Sequence, residues 1–449
     1  MKKYLIILIV VVLIVSMSLL SCKKEAPATT EEVATTEEAA TTEVVAEPVT
    51  IRVSTFFAHD NPEVEQAVVA AFEEANPNIT VQLEEPSTDD IWNTLTADIA
   101  AGTPPDVISM NYERLSYYVG LGAIEPLTDY VANENYDMSI YYENTVAMHT
   151  LDGVLYGLPA TFSDSVLCYN KTMFDEAGIA YPDASWDWAT LVDTAKQFVK
   201  DTDDDGVIDV YGYGPAWWPL YPLIFDTNIL TPDNSQCALG TPEGIQAIQA
   251  YVDLQGVDGV TANAEARSFM GDWDRWVAGN LAMYEVGPWA VKPWNDSITE
   301  GSANYFVWDC ADTPRGTVQG TFLYSNCYAI TSGSQAKDAA WEFVKFATGS
   351  EGCTIRQEGQ YEISAVKSVA ESIFVASMTG ISPAHPEVFM TATSYGKKLS
   401  QPQHASLDEI LAAIQAELDL ALNGQKTVPD AMSAASEAVN AIIEAAATD

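Results

Sequence analysis

The densest chemistry in the chain lies in Asp201-Thr202-Asp203-Asp204-Asp205-Gly206-Val207-Ile208-Asp209. Carboxylates fall at positions 1, 3, 5 and 9 of this stretch, with a glycine at 6 and a backbone carbonyl at 7. A hard cation such as Ca²⁺ takes that kind of oxygen cage. Asp201, Asp203, Asp205, Val207 and Asp209 are therefore candidate ligands of a structural calcium ion. Position 12 is Gly212 instead of the bidentate glutamate, so a full EF-hand is broken. The competing reading is a solvated Asp-rich turn. A second stretch, Gly279 to Trp289, runs apolar and ends in Gly287-Pro288-Trp289. Proline makes the turn stiff, and the tryptophan offers a flat face to a ring-shaped ligand, or else plugs a core. His59 has no second His or Cys spaced to help it hold a metal. There is no Gly-x-Ser-x-Gly elbow, phosphate-cradling loop or HExxH pair.

The chain of 449 residues opens Met1-Lys2-Lys3 and is apolar from Tyr4 to Leu20 apart from two serines. This is the pattern of a secretory leader, with a membrane anchor as its rival. Leu19-Leu20-Ser21-Cys22 resembles a bacterial lipobox, which marks Cys22 for lipidation and residues 1–21 for removal. Losing Lys2 and Lys3 makes the net charge of −44 two units more negative. Such a field repels nucleic acid and anionic lipid, and excludes both as partners. Residues 22–48 repeat Ala-Thr-Thr-Glu with no aromatic residue, which predicts a disordered tether. Five cysteines remain, an odd number without a CxxC spacing. Cys310–Cys327 is one pairing that export would allow; five small buried thiols is the other reading.

These groups need a scaffold. Thr50–Phe56 alternates like a strand, and Pro62–Ala75 has helical spacing. Ile79–Leu83, Asp90–Ala101 and Asp106–Met110 continue the alternation. A β-α-β-α-β order argues for a parallel α/β sheet. Strands at Ser165–Tyr169 and Ser325–Ile330, and helices at Trp186–Lys200, Pro242–Leu254 and Gln335–Thr348, repeat the style. From Leu407 the chain reads as helix, broken at Asn423-Gly424 and Pro429. About 400 residues are enough for two lobes, each with its own core.

Five ordered stretches carry a resemblance. They are Phe72–Val81, Ala101–Val107 (Ala-Gly-Thr-Pro-Pro-Asp-Val), Tyr169–Phe174 (Tyr-Asn-Lys-x-x-Phe), Gly279–Trp289 (Gly-x-x-Ala-Met…Gly-Pro-Trp) and Ala339–Phe346. The chain resembles the family 1 extracellular solute-binding proteins of ABC importers, the group of maltose-binding protein. The resemblance implies an α/β, two-lobed periplasmic-binding-protein-like (type II) fold, with crossing hinge strands and a ligand cleft between lobes. The first lobe would hold 49–162 and 326–371, and the second 163–325 and 372–449. Cys168 and Cys327 would then both lie on hinge strands, a second candidate pair. For the cleft it implies Trp289 and Trp218 as stacking aromatics, with Trp294 as a third candidate and Trp217 packing inward. It implies Glu113 as a carboxylate for sugar hydroxyls, with Arg114 orienting it. Phe57, His59 and Asp60 follow the first strand in a similar place, and Asp164 would face the cleft. Tyr361 and Glu362 replace part of a usual Ile-Pro-Ala stretch. Trp186, Trp273, Trp276 and Trp341 fall in helical patterns and read as structural.

Two classes of function fit Trp-rich, acidic composition. One is a monomeric receptor, lipid-anchored outside the cytoplasm, that delivers a sugar or oligosaccharide to a permease and requires no cofactor. The other is a secreted carbohydrate-active enzyme, which needs two carboxyls held about the scissile bond. A receptor for a peptide or polyamine shares the fold-level logic. The ordered motifs and the tether favour the sugar receptor.

Overall fold

Among the described residues, thirteen short strands carry the architecture: β1 (Val49–Ser54), β2 (Ile79–Glu84), β3 (Val107–Asn111), β4 (Thr150–Leu151), β5 (Val154–Leu155), β6 (Leu158–Ser163), β7 (Val166–Asn170), β8 (Tyr211–Gly214), β9 (Leu281–Val286), β10 (Trp308–Ala311), β11 (Phe322–Ile330), β12 (Ile363–Ser364) and β13 (Lys397–Lys398). They were traced in a computed structural model. It describes residues 47–88, 90–359, 362–378, 380–398, 404 and 406–446. The leader, the lipidation residue Cys22, residues 22–46 of the tether, and Tyr361 lie outside the described residues.

The first sheet runs β12-β6-β11-β3-β1-β2, with β13 on the end of β11. β1 pairs in parallel with β2 and β3, as the β-α-β-α-β order predicts. The sheet is nevertheless mixed, because β11 returns from far along the chain and runs antiparallel to both β3 and β6. Local alternation could not announce a strand supplied by so distant a segment. Ile51, Val53, Val107, Ile108 and Met110 are buried in its core with Phe72 and Leu95 of the covering helices. The second sheet runs β10-β7-β9-β8. Its core includes Leu167, Tyr213, Ala282 and Met283.

Several helices are shorter than their periodicity suggests. Asp187 caps Trp188–Lys196 by accepting from Thr190 N at 2.9 Å, so Trp186 stands before the helix, not inside it. The C-terminal pair is Leu407–Leu422 and Val428–Ala446. Gly424 separates them at φ 67°, a left-handed value that glycine adopts freely. Pro429 sits in the first turn of the second helix, where its missing N–H costs nothing. Both helices pack on the second lobe through Ile410, Ile414, Met432 and Val439.

The lobes are joined where β6 gives way to β7, where the chain passes from β10 to β11, and beyond β12. At the first crossing Ser165 N donates to Thr321 Oγ1 at 3.1 Å. The hydroxyls of Thr313 and Thr321 both donate to Ser165 O, at 3.0 and 2.7 Å. β11 straddles the lobes: Phe322 and Leu323 pack in the second core, and Cys327 to Ile330 in the first. The third crossing is a helical segment with a π turn at Ala370–Phe374. Single π turns often interrupt helices at functional places.

The cysteines correct both suggested pairings. All five are buried and unbridged. Cys327 lies in the first core opposite Met110 and Pro159, away from Cys310. Cys310 instead faces Cys168 across the β7–β10 ladder, in the second lobe. Strand order, which spacing does not reveal, decides these neighbours.

Candidate ligand cleft

β9 ends at Val286, and Gly287 leads into the 3₁₀ turn Pro288–Ala290 and the helix Val291–Ser297. Gly287 has φ −98°, which any residue adopts, so conformational freedom is not its role. Space is. A Cβ there would come within 2.3 Å of the Asp164 carbonyl and 2.0 Å of the Trp289 ring. The indole of Trp289 therefore folds back over Gly287, against the first hinge crossing. It meets Tyr324 edge-on, with ring centroids 5.9 Å apart at 82°. Trp289, Tyr324, Trp217, Trp273, Glu285 and Ser165 help line a cavity of ≈ 190 Å³.

The structure reverses the expectation for two neighbouring tryptophans. Trp217 is 42% exposed and lines the cavity, whereas Trp218 is 2% exposed. Trp218 packs with Ile229, Ile248 and residues of the C-terminal helices. Trp294 is also core: its ring lies 4.8 Å from Trp276 and 5.3 Å from Trp308. Trp273, read as structural, reaches the cavity; Trp276 and Trp341 are buried, as expected. Phe57 is 1% exposed, with the Arg356 guanidinium 5.4 Å above its ring.

Asp164 does not line the cavity; its neighbour Ser165 does. Successive residues of an extended segment point to opposite sides. Both Asp164 oxygens are buried without a hydrogen-bond partner among the described residues, and burial holds the carboxyl well above its usual range.

The first lobe brings carboxyls. Glu113 stands in the first turn of the helix Tyr112–Gly120, after Asn111 at the end of β3. The residue is half-buried, yet its Oε2 is enclosed without a partner, while Oε1 accepts from Asn111 Nδ2 at 3.2 Å. Burial pushes this carboxyl up to about 7, opposed by its backbone N–H, the Arg114 charge and Asn111. The hydrogen bonds of Arg114 go to Asp408, on the helix packed against the other lobe. The Glu113 charge is felt by Tyr324 and responds to Glu362. Glu362 accepts from Thr161 Oγ1 and from Asn326 Nδ2 at 2.9 Å, and burial raises it. Asp60 is exposed at the end of the helix Phe56–Asp60 but near enough for its charge to raise Glu362 further. His59, beside it, is also exposed. Tyr324 thus meets Trp289 edge-on and lies near enough to Glu113 for that carboxyl's charge to raise it.

Glu285 is the second lobe's carboxyl, and motif reading passed over it. Tyr213 OH donates to its Oε2, Oε1 has no partner among the described residues, and burial pushes it up to about 7. A signal was present: a glutamate inside Leu-Ala-Met-Tyr-Glu-Val, an otherwise apolar strand. Tyr324 and Trp217 carried no comparable signal.

In the Asp-rich loop, Asp201, Asp203 and Asp209 each offer an oxygen within 4.8 Å of the others. Asp205 stands outside this trio; its Oδ1 accepts from Val207 N at 2.7 Å. Gly206 is at φ 89°, the left-handed turn that position 6 demands. Gly206 N donates to Asp201 Oδ2 at 2.8 Å, and Thr202 N to Asp209 Oδ2 at 2.7 Å. Three carboxylates in reach of one point fit a hard cation, with other oxygens completing the shell.

Among the described residues no helix is long and apolar enough to cross a membrane. A binding protein of Brucella abortus is 29% identical over 311 residues, covering 67% of this chain and 72% of that protein. The galactooligosaccharide-binding protein of Bacillus subtilis is 23% identical, covering 67% and 70%. Among solved structures, an ABC substrate-binding protein of Listeria monocytogenes in complex with cycloalternan superposes with a TM-score of 0.80. It is 23% identical and covers 89% of this chain and 100% of that one. The two-sheet architecture is thus that of the two-lobed binding proteins. With residues 67–383 matching its defining pattern, the chain belongs to the family of bacterial extracellular solute-binding proteins.

Proposed function

We propose that the cleft captures a sugar or oligosaccharide and that the lobes close over it for delivery to an ABC importer's membrane permease. The observation that carries this reading is the juxtaposition at Tyr324 of aromatic faces (Trp217, Trp289) with enclosed carboxyls (Glu113, Glu285). A pyranose has an apolar C–H face that stacks on an aromatic ring, and a rim of hydroxyls that carboxyls bind. The relatives named for galactooligosaccharide and arabinooligosaccharide binding support the same class. In this reading Trp289, Trp217, Tyr324, Glu113 and Glu285 contact ligand, with Asp60 and Glu362 near the rim. Ligand touches both walls only when the lobes are closed, so it shifts the population toward that state.

The protein acts as a receptor and not as an enzyme, as its relatives are binding proteins. Cys22 carries the lipid, and the tether holds a monomeric globule outside the cytoplasm near the permease. The Asp201–Asp209 loop holds a Ca²⁺ ion that stabilises the second lobe. Calcium should raise the melting temperature and a chelator lower it, leaving sugar affinity unchanged; equal melting with both would rule the ion out. The test of the main reading is a thermal-shift screen of mono- and oligosaccharides, with a polyamine and an oligopeptide alongside. A sugar should stabilise the protein and remain uncleaved. Stabilisation by the polyamine or peptide alone, or release of shorter sugars, would replace the proposal.

A further inference from the structure

The second lobe carries a pair of thiols placed to bond. β7 and β10 run antiparallel with Cys168 opposite Cys310. In such a ladder, hydrogen-bonded and non-hydrogen-bonded pairs alternate. Lys171 N donates to Val307 O at 2.9 Å, which sets the phase at the next position beyond the strand ends. Counting back by twos, Tyr169 and Asp309 form a hydrogen-bonded pair, and Cys168 and Cys310 a non-hydrogen-bonded one. The N–H of Cys310 accordingly turns away from β7 and donates to Asp309 Oδ1 at 3.0 Å. Side chains approach most closely at non-hydrogen-bonded positions, where Cα atoms lie roughly 4.5 Å apart, inside the range a disulfide spans. The two Sγ atoms are 3.6 Å apart, and both residues are buried.

We propose that Cys168 and Cys310 form a disulfide as the exported chain folds. The oxidant is a disulfide, carried by an exported thiol–disulfide oxidoreductase or a small thiol. One cysteine, as thiolate, attacks that disulfide, breaking its S–S bond and releasing one reduced sulfur. The second cysteine then attacks the mixed disulfide, forming the Cys168–Cys310 bond and releasing the other. Two electrons and two protons pass from the pair to the oxidant. Because both sulfurs are buried in the native fold, the exchange belongs to folding.

The consequence is mechanical. Among the described residues β10 is an edge strand, paired in its sheet with β7 alone, and it leads to the second hinge crossing. The bond would link positions 142 residues apart, a span that contains Trp217, Glu285 and Trp289. It would fix the frame of the aromatic wall while the lobes rotate, and it would restrict the unfolded chain.

The test uses the full chain secreted into an oxidising compartment, blocked with iodoacetamide under denaturing conditions and digested without reduction. The expected result is one linked peptide pair joining Cys168 to Cys310, two mass units lighter than the separate peptides, with Cys237, Cys327 and Cys353 alkylated. Reduction should then lower the melting midpoint by roughly 5 °C or more. The Cys168→Ser, Cys310→Ser double variant, if it folds, should not respond to reductant. Alkylation of both cysteines, or a link from either to another cysteine, would overturn the proposal.

Discussion

The two walls of the proposed cleft are built from different chemistry. The first lobe presents Glu113 and Glu362, held by Asn111, Asn326 and Thr161, with Asp60 at the edge. The second presents Trp217, Trp273 and Trp289, with a single carboxyl at Glu285. One wall offers hydrogen-bond acceptors and the other flat apolar area, so neither alone recognises a sugar on both its faces and its rim. The difference also separates roles within one wall. Trp217 and Trp218 are adjacent and chemically identical, yet one meets the cavity and the other the core.

The largest expected effect separates that pair. Trp218→Ala empties a packed site beneath the C-terminal helices and should cost about 3–5 kcal/mol of stability. Denaturant unfolding would show this, while folded protein keeps its sugar affinity. Trp289→Ala should do the reverse, losing roughly 2 kcal/mol of binding, about 30-fold, with little loss of stability. Trp217→Ala should follow Trp289 at a smaller size, because it is more exposed. If Trp218→Ala weakened binding more than Trp217→Ala in calorimetric titrations, the assignment of the aromatic wall would be wrong.

That pair also marks how much could be read from sequence. The Gly279–Trp289 run gave the strand, the turn and the aromatic together, because all three are local. What the run does not reveal is the role of Gly287, which is the space it leaves for the Trp289 ring. Which of Trp217 and Trp218 faces the cavity depends on a short turn before the helix Leu220–Ile224, where no period fixes direction. Asp164 and Ser165 pose the same difficulty on the hinge: the resemblance implied Asp164, and it is Ser165 that lines the cavity. Tyr324 was out of reach because its importance comes from β11 crossing between lobes, a fact of topology. Phe57 and Trp294 look like ligand-stacking rings in sequence, yet belong to cores assembled from distant segments.

A middle-sized effect tests the carboxyls of the two walls against each other. Glu113 and Glu285 both sit at about 7, raised from 4.5 by burial. The folded chain therefore binds protons that the unfolded chain releases. Relative stability from these groups is greatest below about pH 4.5, falls as pH rises toward 7, and levels off above it. Glu113→Gln and Glu285→Gln should each flatten the fall in melting temperature between pH 5 and pH 8, and the double variant should flatten it most. Thermal melts at several pH values would check this. Variants parallel to the wild type across that range would mean the carboxyls are solvated and the cleft is open.

The smallest effect concerns the rim, where the walls meet directly. Arg114, next to Glu113, hydrogen-bonds both carboxylate oxygens of Asp408 on the helix Leu407–Leu422, which packs on the second lobe. The Asp408 side chain is 69% exposed, so water and salt screen the pair, and exposed pairs contribute about 0.2–1 kcal/mol. In the closure proposed above, the pair would link the two lobes and form as they come together. Its contribution therefore falls on the open–closed equilibrium and not on either core. Asp408→Asn should weaken apparent sugar affinity by at most about fivefold, leave the melting temperature of the sugar-free protein nearly unchanged, and make affinity less sensitive to salt. Arg114→Lys should act more mildly, because it keeps the charge and a single nitrogen, Nη1, makes both contacts to Asp408. Arg114 also lowers the Glu113 carboxyl through its charge, so Arg114→Ala should exceed Asp408→Asn in effect. Titrations at low and high salt would distinguish the two variants. Equal effects would place the whole contribution of Arg114 in the rim contact and none in the charge it lends to Glu113.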